Sequence, residues 1–392
     1  MKLLVFSSSS IIDINRSYIR SLKLLYNFEI HLAILYKKTI VEAHNGISDY
    51  KNEPFDVSIH EIIGLHPRLE TIRSLKKLIC KINPNYILLE YDTASYITYK
   101  TLKIAKNFNI RVGTIIVENR FRNYLNEFYK NFLHGDLKNS IGSLFCLYFQ
   151  NFATNNITNL FPISKEAVNV SEKYGFNKKS LFQIPYGVDL LRFVKQDKEY
   201  VDSTKKRLGL NSFTIAYFGR LVPEKGVDIL LKATSILKER NFKILIDNFS
   251  FYKSDYIIYL NNIIEEYNLT EKIVFFDSDH NQMPDYYNAV DLVVLPSIEN
   301  RNFKEQYGRV LVEAMSCETL VIGSNTGAIG EILDNPILLF ESNSINSLVN
   351  KISEMMDLNF EKRAEIIQKS LKRTKSNLGV EHQAKIIGDV IK

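Results

Sequence analysis

The sequence has little of what disulfide-stapled, zinc-ribbon or membrane-spanning proteins require. Three cysteines, Cys80, Cys146 and Cys317, are spread over 392 residues and form no C-x-x-C pair. This spacing favours neither a disulfide framework nor a metal ribbon, so we expect a reducing compartment. The longest apolar stretch, residues 141–161, is interrupted by glutamine and asparagine and lacks the roughly 18–20 continuous apolar residues of a spanning helix.

The apolar start of the chain is too short for the roughly 7–15-residue core of a signal peptide, and we predict a first strand there. We therefore expect a cytoplasmic globular protein.

The formal charge of +6 is unevenly distributed. Residues 1–175 hold 22 Lys and Arg against 15 Asp and Glu, whereas residues 176–392 hold 28 against 29. A basic first half suits a surface that meets an anionic lipid, an anionic substrate or nucleic acid, although dispersed solvated lysines give the same count. No nucleic-acid-binding motif accompanies the charge, so nucleic acid is not an expected partner.

Short apolar runs alternate with longer amphipathic stretches, which is the pattern of β-α-β units and a parallel sheet. The predicted strands are residues 3–6, 30–35, 86–90, 112–117, 160–163, 213–218, 242–246, 272–276, 291–295, 320–323 and 337–340. Amphipathic spacing predicts helices at residues 68–81, 227–239, 254–267, 284–289, 308–316, 345–355 and 360–372. The fold class is therefore α/β.

Two α/β halves of similar size follow from this pattern. A turn signal at residues 185–187 and a charged segment at residues 195–207 separate them. We predict a first domain over residues 1–185, a second over residues 186–377 and a final helical segment over residues 378–392.

The densest group of informative residues lies between residues 291 and 331. A predicted strand, DLVVLPS, leads through a polar loop to Gly308 and then into the helix RVLVEAMSC. A strand, loop and helix N-terminus in this order form an anion site, because free N–H groups and the helix dipole meet above the carboxyl end of the sheet. Glu305 precedes the helix and Glu313 lies inside it, so we expect their carboxylates to reach different parts of one ligand. Taken singly, each could be an ordinary helix-end or solvated carboxylate.

A second group, YFGRLVPEKGVDILLKA, starts at residue 217. A strand ends at Gly219, Arg220 lies in the loop, and Lys225 follows near the start of a helix. A guanidinium fork and an ammonium at the carboxyl edge of a sheet suit a diphosphate leaving group. Alone, an arginine and a lysine in a loop are more commonly just solvated.

Together the phrases GRLVPEKGVDILLKA, YYNAVDLVVLPS and EQYGRVLVEAMSCETLVIGSNTGAIGEIL, with IPYGVDLLRF upstream, resemble the donor-binding half of family 4 glycosyltransferases. The resemblance extends over about residues 163–352. It implies the GT-B fold, in which two Rossmann-like domains face each other across a cleft and the last helix crosses back to the first domain. It also implies a transferase that takes its sugar from a nucleotide-sugar and retains the anomeric configuration.

The resemblance assigns roles to residues as well. Glu305 and Glu313 match the family's E-x7-E motif, which implies that Glu313 holds the ribose hydroxyls and Glu305 faces the sugar near the reacting carbon. Arg220 and Lys225 would bind the diphosphate. The other predicted donor-binding residues surround this anion site: Gly219, Tyr307, Gly308, Arg309 and Val310.

The chain departs from the family pattern at three places. The strand after the first helix of the donor half continues into residues 247–250, DNFS, where relatives have a glycine-rich turn, so contacts to the nucleotide base differ there. Four serines at residues 7–10 replace a glycine-rich loop after the first strand. Many relatives have a histidine after a middle strand, where this chain has Glu118 and Asn119, and either could act on the acceptor side.

Metal and cofactor sites are not expected. Asp277 and Asp279 resemble the D-x-D metal motif of the other main glycosyltransferase fold, but they follow a strand of the donor half, where the resemblance implies no metal. No G-x-G-x-x-G follows the first strand, so a nicotinamide-binding fingerprint is missing. The nucleotide-sugar would be a substrate and not a cofactor.

The predicted function is transfer of a hexose from a UDP- or GDP-sugar to a glycan or lipid-linked acceptor, in the synthesis of surface polysaccharide or glycoconjugate. Two alternatives stay open: a non-catalytic nucleotide-sugar-binding subunit, and another GT-B enzyme such as a nucleotide-sugar epimerase. The basic first half predicts reversible contact with an anionic membrane face. The candidate lysines share two predicted helical stretches: Lys76, Lys77, Lys81, Lys100, Lys103 and Lys106.

Overall fold

The computed structural model describes residues 1–35, 55–62, 69–248, 255–277, 281–301 and 303–392. The chain divides into two compact units, of which unit 1 comprises residues 1–187 and 380–392 and unit 2 comprises residues 188–379. The sequence places these boundaries at residues 185 and 377.

Unit 1 is built on a six-stranded parallel sheet of order β3-β2-β1-β4-β5-β6. The strands are β1 (Lys2–Phe6), β2 (Glu29–Leu35), β3 (Ser58–Ile62), β4 (Tyr86–Leu89), β5 (Arg111–Ile116) and β6 (Asn159–Pro162). The helices are α1 (Ser17–Tyr26), α2 (Leu69–Ile82), α3 (Tyr96–Asn107), α4 (Tyr124–Leu133), α5 (Leu137–Asn156), α6 (Lys165–Lys173) and, from the end of the chain, α15 (Val380–Ile391).

Unit 2 repeats the plan with the order β12-β11-β10-β7-β8-β9, again all parallel. The strands are β7 (Phe213–Tyr217), β8 (Phe242–Asp247), β9 (Ile273–Phe276), β10 (Leu292–Leu295), β11 (Leu320–Ser324) and β12 (Leu339–Phe340). The helices are α7 (Lys198–Leu208), α8 (Val227–Ile236), α9 (Asp255–Glu266), α10 (Met283–Ala289), α11 (Arg309–Ser316), α12 (Ile329–Leu333), α13 (Ile345–Met356) and α14 (Phe360–Arg373).

The central strands are almost entirely buried, as their largely apolar sequences predict. Every residue of β4 and β10 is buried, because helices cover both faces of a parallel sheet. The α/β class and the two Rossmann-like domains are therefore confirmed.

Two predicted segments differ from the structure, and one strand was not predicted. Residues 337–340, predicted as a strand, form a 3₁₀ turn over Pro336–Leu338 and then the two-residue strand β12; proline at the start of the turn has no N–H for a sheet ladder. The charged segment 195–207 is not a linker, since most of it forms α7. Strand β3 went unpredicted because its sequence, SIHEI, is only partly buried and contains no apolar run.

Candidate functional site

The predicted functional residues of the second half collect at one edge of the unit 2 sheet. Strands β7 and β10 are neighbours, yet the chain continues from them in opposite directions, to β8 on one side and to β11 on the other. Loops diverge at such a reversal and leave a crevice at the carboxyl ends of the strands, where α/β proteins bind ligands. Arg220 and Lys225 follow β7, and Glu305 follows β10.

Glu305 is buried at this edge and retains 6% of its exposure. Lys225 Nζ lies 2.6 Å from Glu305 Oε2, and the Ser297 hydroxyl donates to the same oxygen at 2.6 Å. The Glu305 backbone is held as well, because its carbonyl accepts from the N–H of Ala328 at 3.0 Å. A buried carboxylate needs such charge and hydrogen bonds to replace its lost water. Loops from three strands therefore fix one residue, two through its side chain and one through its backbone.

Two glycines allow these loops to approach one another. At Gly226, with φ of +67°, a Cβ would lie 2.0 Å from the carbonyl oxygen of Pro296. At Gly327, with φ of +53°, a Cβ would lie 2.0 Å from the carbonyl oxygen of Glu305. Both distances are far inside van der Waals contact with backbone atoms, and both φ values disfavour side chains. Close loop packing at the site therefore depends on glycine at these two positions.

Glu313, inside α11, is also 6% exposed. The Tyr287 hydroxyl donates to its Oε2 at 2.7 Å, and Arg309 Nε donates to its Oε1 at 3.0 Å. Burial, followed by the charge of Glu313, raises the pKa of Tyr287 well above its ordinary value, which keeps the hydroxyl a donor. Glu313 is therefore an oriented carboxylate and not a solvated helix residue.

Helix α11 begins after Gly308, which has a left-handed φ of +86°. Arg309 and Val310 are its first residues, and the N–H groups of a first helical turn have no acceptor one turn earlier in the helix. These N–H groups and the positive end of the helix dipole are suited to an anion. Tyr307, just before the helix, is 4% exposed and packs in the interior.

Arg220 is exposed in the loop after β7. The Tyr217 hydroxyl donates to the Arg220 carbonyl at 2.7 Å, and burial raises the pKa of Tyr217 well above its ordinary value. Gly219, with φ of +143°, makes the turn between them. Lys225 pairs with Glu305, whereas the sequence predicts that it meets a diphosphate beside Arg220.

The predicted departures around β8 and β9 are only partly described. Asp247 ends β8 and is buried, and Asp277 directly follows β9, but Asp279 and residues 249–250 lie outside the described residues. Within the described ranges, no group of three His, Cys, Asp or Glu side chains is arranged to hold a metal ion. The predicted lack of a metal stays a prediction.

On the unit 1 sheet, the residues after β5 divide into two roles. Glu118 lines a cavity of about 140 Å³ together with Asp92, Arg122 and Tyr174. Burial raises the pKa of Glu118, and burial also raises that of Asp92. Asn119 is buried and donates from its amide to Glu166 at 3.4 Å. Of the two acceptor-side candidates, Glu118 is therefore the one that reaches a cavity.

The six predicted membrane lysines lie on neighbouring helices of unit 1. Lys76, Lys77 and Lys81 are exposed on α2, and Lys103 and Lys106 are exposed on α3. Lys100 is partly buried, with Nζ 5.3 Å from the centroid of the Tyr96 ring. The two helices pack against each other.

Sequence reasoning missed a carboxylate network at the chain reversal of unit 1, between β1 and β4. Ser7 and Ser9 donate to Glu90 Oε2 at 2.5 and 2.7 Å, and the Tyr18 hydroxyl bonds Oε1 of the same residue. Serines thus bind a carboxylate at the place where relatives were expected to have glycine. The available signal was a glutamate placed directly after a buried strand. Tyr287, which orients Glu313, stands in the phrase YYNAVDLVVLPS, but nothing in the sequence shows that its hydroxyl reaches Glu313.

Comparison with known proteins bears on this site. Residues 201–373 match the family model described as "Glycosyl transferases group 1". The matched residues all lie within unit 2. This match covers most of unit 2 and includes Arg220, Lys225, Glu305 and Glu313.

Three curated relatives of the glycosyltransferase class are similar to the chain. It is 29% identical over 231 residues to an uncharacterized glycosyltransferase of Methanocaldococcus jannaschii, and the match covers 57% of each chain. It is 28% identical over 181 residues to the D-inositol 3-phosphate glycosyltransferase of Rhodococcus erythropolis, covering 43% of this chain and 38% of that one. It is 25% identical over 227 residues to the phosphatidylinositol N-acetylglucosaminyltransferase GPI3 subunit of Saccharomyces cerevisiae, and this match covers 56% of this chain and 47% of that one. Each match spans less than two thirds of the relative's length.

Solved structures extend the likeness to the whole chain. A glycosyltransferase from Rickettsia africae gives a TM-score of 0.79 at 18% identity and covers 100% of this chain and 97% of that one. Anabaena HepE in complex with UDP and glucose gives a TM-score of 0.74 at 17% identity and covers 100% of this chain and 99% of that one. The predicted GT-B fold is confirmed. The group 1 domain and the names of the relatives support the prediction of a glycosyltransferase.

Proposed function

We propose that the protein is a retaining glycosyltransferase of family 4 that transfers a hexose from a nucleotide-sugar to a glycan or lipid-linked acceptor. The observation that carries the proposal is the pair of buried, separately oriented carboxylates, Glu305 and Glu313, on either side of the α11 N-terminus. The residues that match the group 1 family model include both carboxylates. Synthesis of surface polysaccharide or glycoconjugate is the corresponding biological role.

Each part of a nucleotide-sugar has a counterpart in the site. Glu313, fixed by Tyr287 and Arg309, accepts hydrogen bonds from the ribose hydroxyls. The diphosphate occupies the N-terminus of α11, where N–H groups, Arg220 and Lys225 meet its charge. Glu305 then faces the sugar, because it lies between Lys225 and the loop after β11.

The chemical demand on the protein is to stabilise the leaving diphosphate. In the proposed mechanism the bond from the anomeric carbon to the diphosphate oxygen breaks while the acceptor oxygen bonds to the same face of that carbon, so the configuration is retained. The proton of the acceptor hydroxyl passes to the departing phosphate oxygen. Arg220, Lys225 and the helix N-terminus stabilise the negative charge that develops on the leaving group. Removal of one donor in such an electrostatic site typically lowers the rate by ~10²–10³.

The nucleotide is a UDP or GDP, and the HepE complexes with UDP and with UDP-glucose support UDP. Thermal unfolding with UDP-, GDP- and ADP-sugars tests this proposal. A ligand at 100 times its dissociation constant adds ~2.7 kcal/mol of stability, so the correct donor raises the unfolding temperature and Glu313→Gln abolishes the rise. If none of the three classes of donor raises the unfolding temperature of the wild type more than the others do, the proposal is contradicted.

The acceptor is proposed to be reached at an anionic membrane face. The name of the Saccharomyces relative refers to a phosphatidylinositol acceptor, and the lysines of α2 and α3 supply positive charge on unit 1. In the described part of the chain, no helix is long and apolar enough to cross a bilayer. The contact is therefore proposed as reversible, worth ~1 kcal/mol for each basic residue near the surface and weakened by salt.

A further inference from the structure

Helix α4 carries an apolar stripe that faces solvent. Leu125, Tyr129, Phe132 and Leu133 are 45%, 56%, 53% and 81% exposed. Their spacing of four, seven and eight residues places them on one side of a helix. The one buried residue of this helix is Tyr124, at its start.

Helix α5 repeats the arrangement. Leu137, Ile141, Phe145 and Tyr148 follow one another at spacings of four, four and three residues, which also places them on one side of a helix, and they are 59%, 54%, 57% and 54% exposed. The residues that α5 buries are instead small or polar: Ser140, Ser143, Gln150 and Ala153. An amphipathic helix of a globular protein normally buries the apolar stripe and exposes the polar one. In α5 the apolar stripe is exposed, and the residues that are buried are small or polar.

The two helices lie side by side. α4 and α5 pack against each other as an antiparallel pair joined by residues 134–136, and we call this pair the α4–α5 hairpin. Soluble monomers rarely expose a continuous apolar surface of this extent without a partner. The exposed stripes therefore indicate that something covers them.

Charge on the hairpin distinguishes among possible partners. Its two carboxylates are engaged, Glu127 with Arg122 and Asp136 with the N-terminus of α5. Lys130 and Lys138 lie on either side of the turn and are exposed. Because Arg122 neutralises Glu127, Lys130 and Lys138 outweigh Asp136, and the net charge around the apolar surface is positive, which suits an anionic layer.

The hairpin also adjoins the basic helix α3. The Tyr148 hydroxyl lies 3.4 Å from the Tyr99 hydroxyl of α3, and Lys103 Nζ lies 5.7 Å from the centroid of the Tyr99 ring. The apolar stripe of α5 thus continues into the row formed by Lys103 and Lys106. Lysine is depleted in the cores of protein interfaces, whereas a lysine row beside an apolar face is typical of helices that lie in a membrane interface.

We propose that the α4–α5 hairpin is the membrane-docking element of unit 1. Its apolar stripes enter the boundary between headgroups and acyl chains, and Lys103, Lys106, Lys130 and Lys138 contact anionic headgroups. The inference rests on the proposed membrane contact and assigns it to a surface that the lysines alone do not identify. It is independent of the donor site in unit 2.

Flotation with vesicles tests the assignment. The full chain is expected to float with phosphatidylcholine vesicles that contain phosphatidylglycerol, and to float less with phosphatidylcholine alone. Phe132→Ser with Leu133→Ser should lower the partition coefficient at least about tenfold, because two large apolar side chains leave the membrane. The matched control is Phe360→Ser with Leu191→Ser, which replaces unit 2 side chains that are 86% and 87% exposed. It should float like the wild type.

The lack of tryptophan in the chain provides a second readout. Leu133→Trp introduces a single indole, whose emission should shift to shorter wavelength on anionic vesicles and be quenched by brominated acyl chains. The indole of Leu191→Trp should do neither. Neither substitution touches the donor site, so nucleotide binding is expected to be unchanged in both.

Three results would overturn the inference, and each is distinct. Flotation of the hairpin variant at the wild-type level would leave the membrane contact standing on another surface. If the wild type does not float at low salt, the membrane contact itself is wrong. The proposed transferase activity is tested by a separate assay and is not affected by that result. A shift of the indole emission with protein concentration, without vesicles, would make a second copy of the chain the partner.

Discussion

Lys225 and Glu305 form a buried ion pair in which Nζ and Oε2 are 2.6 Å apart and the side chains retain 16% and 8% of their exposure. Breaking a buried pair from one side leaves an uncompensated charge and costs about 3–5 kcal/mol. Lys225→Met should therefore lower the free energy of unfolding by an amount of this order, and Lys225→Met with Glu305→Gln should recover a large part of it. Urea unfolding of the two single variants and the double variant measures the coupling. Additive losses would show that the pair does not stabilise the fold.

Arg220→Ala should separate binding from folding. The side chain is exposed, so the free energy of unfolding should change by no more than about 0.5 kcal/mol. Loss of a charge-assisted bond to phosphate should weaken the binding of nucleoside diphosphate by about tenfold or more. Calorimetry with UDP and GDP measures the affinity, and Arg207→Ala, another exposed arginine of unit 2, is the control. Equal affinity in both variants would remove Arg220 from the site.

Tyr287→Phe tests the orientation of Glu313. The substitution keeps the ring and deletes the hydroxyl that bonds Oε2 at 2.7 Å. Hydrogen bonds to charged groups are worth about 1.5–3 kcal/mol, so we expect KM for the donor to rise by about tenfold or more with a smaller change in kcat. Tyr286→Phe, on the same helix, deletes a hydroxyl that bonds Gln282 and should leave KM close to the wild-type value. A fall in kcat alone would place Tyr287 outside nucleotide binding.

The glycines of the loop and helix after β11 offer a matched pair. Gly327→Ala would place a Cβ 2.0 Å from the Glu305 carbonyl oxygen, whereas the nearest atom to a Cβ at Gly330 is 3.8 Å away. We expect Gly327→Ala to displace Glu305 and lower kcat by at least about tenfold, since small misplacements at a reacting centre are costly. Gly330→Ala, in α12, should retain activity. If the two variants are equally active, the close approach at Gly327 does not position Glu305.

The sequence was informative where the local pattern and the function coincide. Strands β7, β10 and β11 are short, mostly apolar runs followed by turn residues. The phrases around Arg220 and Glu305 have a characteristic order, so both the fold and the location of the site could be predicted. Contacts between side chains that are distant in sequence could not be predicted. Nothing in the sequence shows that Ser297 and Lys225, 72 residues apart, converge on one carboxylate oxygen, or that Tyr287 reaches Glu313.

The same limit explains the missed features of unit 1. Glu90 gathers Ser7, Ser9 and Tyr18 through contacts that span more than 70 residues of sequence. The stripes of α4 and α5 have the spacing of buried helices, and periodicity alone does not say whether such a stripe faces a core or solvent. Only the fold shows that α5 turns its serines inward.

Product analysis with the purified chain tests the central claim most directly. With a UDP- or GDP-sugar and no acceptor, the wild type is expected to release nucleoside diphosphate and free sugar slowly. The release should persist in EDTA, because the side chains of Arg220 and Lys225 and a helix N-terminus, and not a metal ion, hold the diphosphate. Glu305→Gln should lower the release by at least about tenfold while donor binding is retained. Binding without release would instead indicate a non-catalytic nucleotide-sugar-binding subunit. Appearance of an epimeric nucleotide-sugar, or loss in EDTA restored by manganese, would contradict a metal-independent glycosyltransferase.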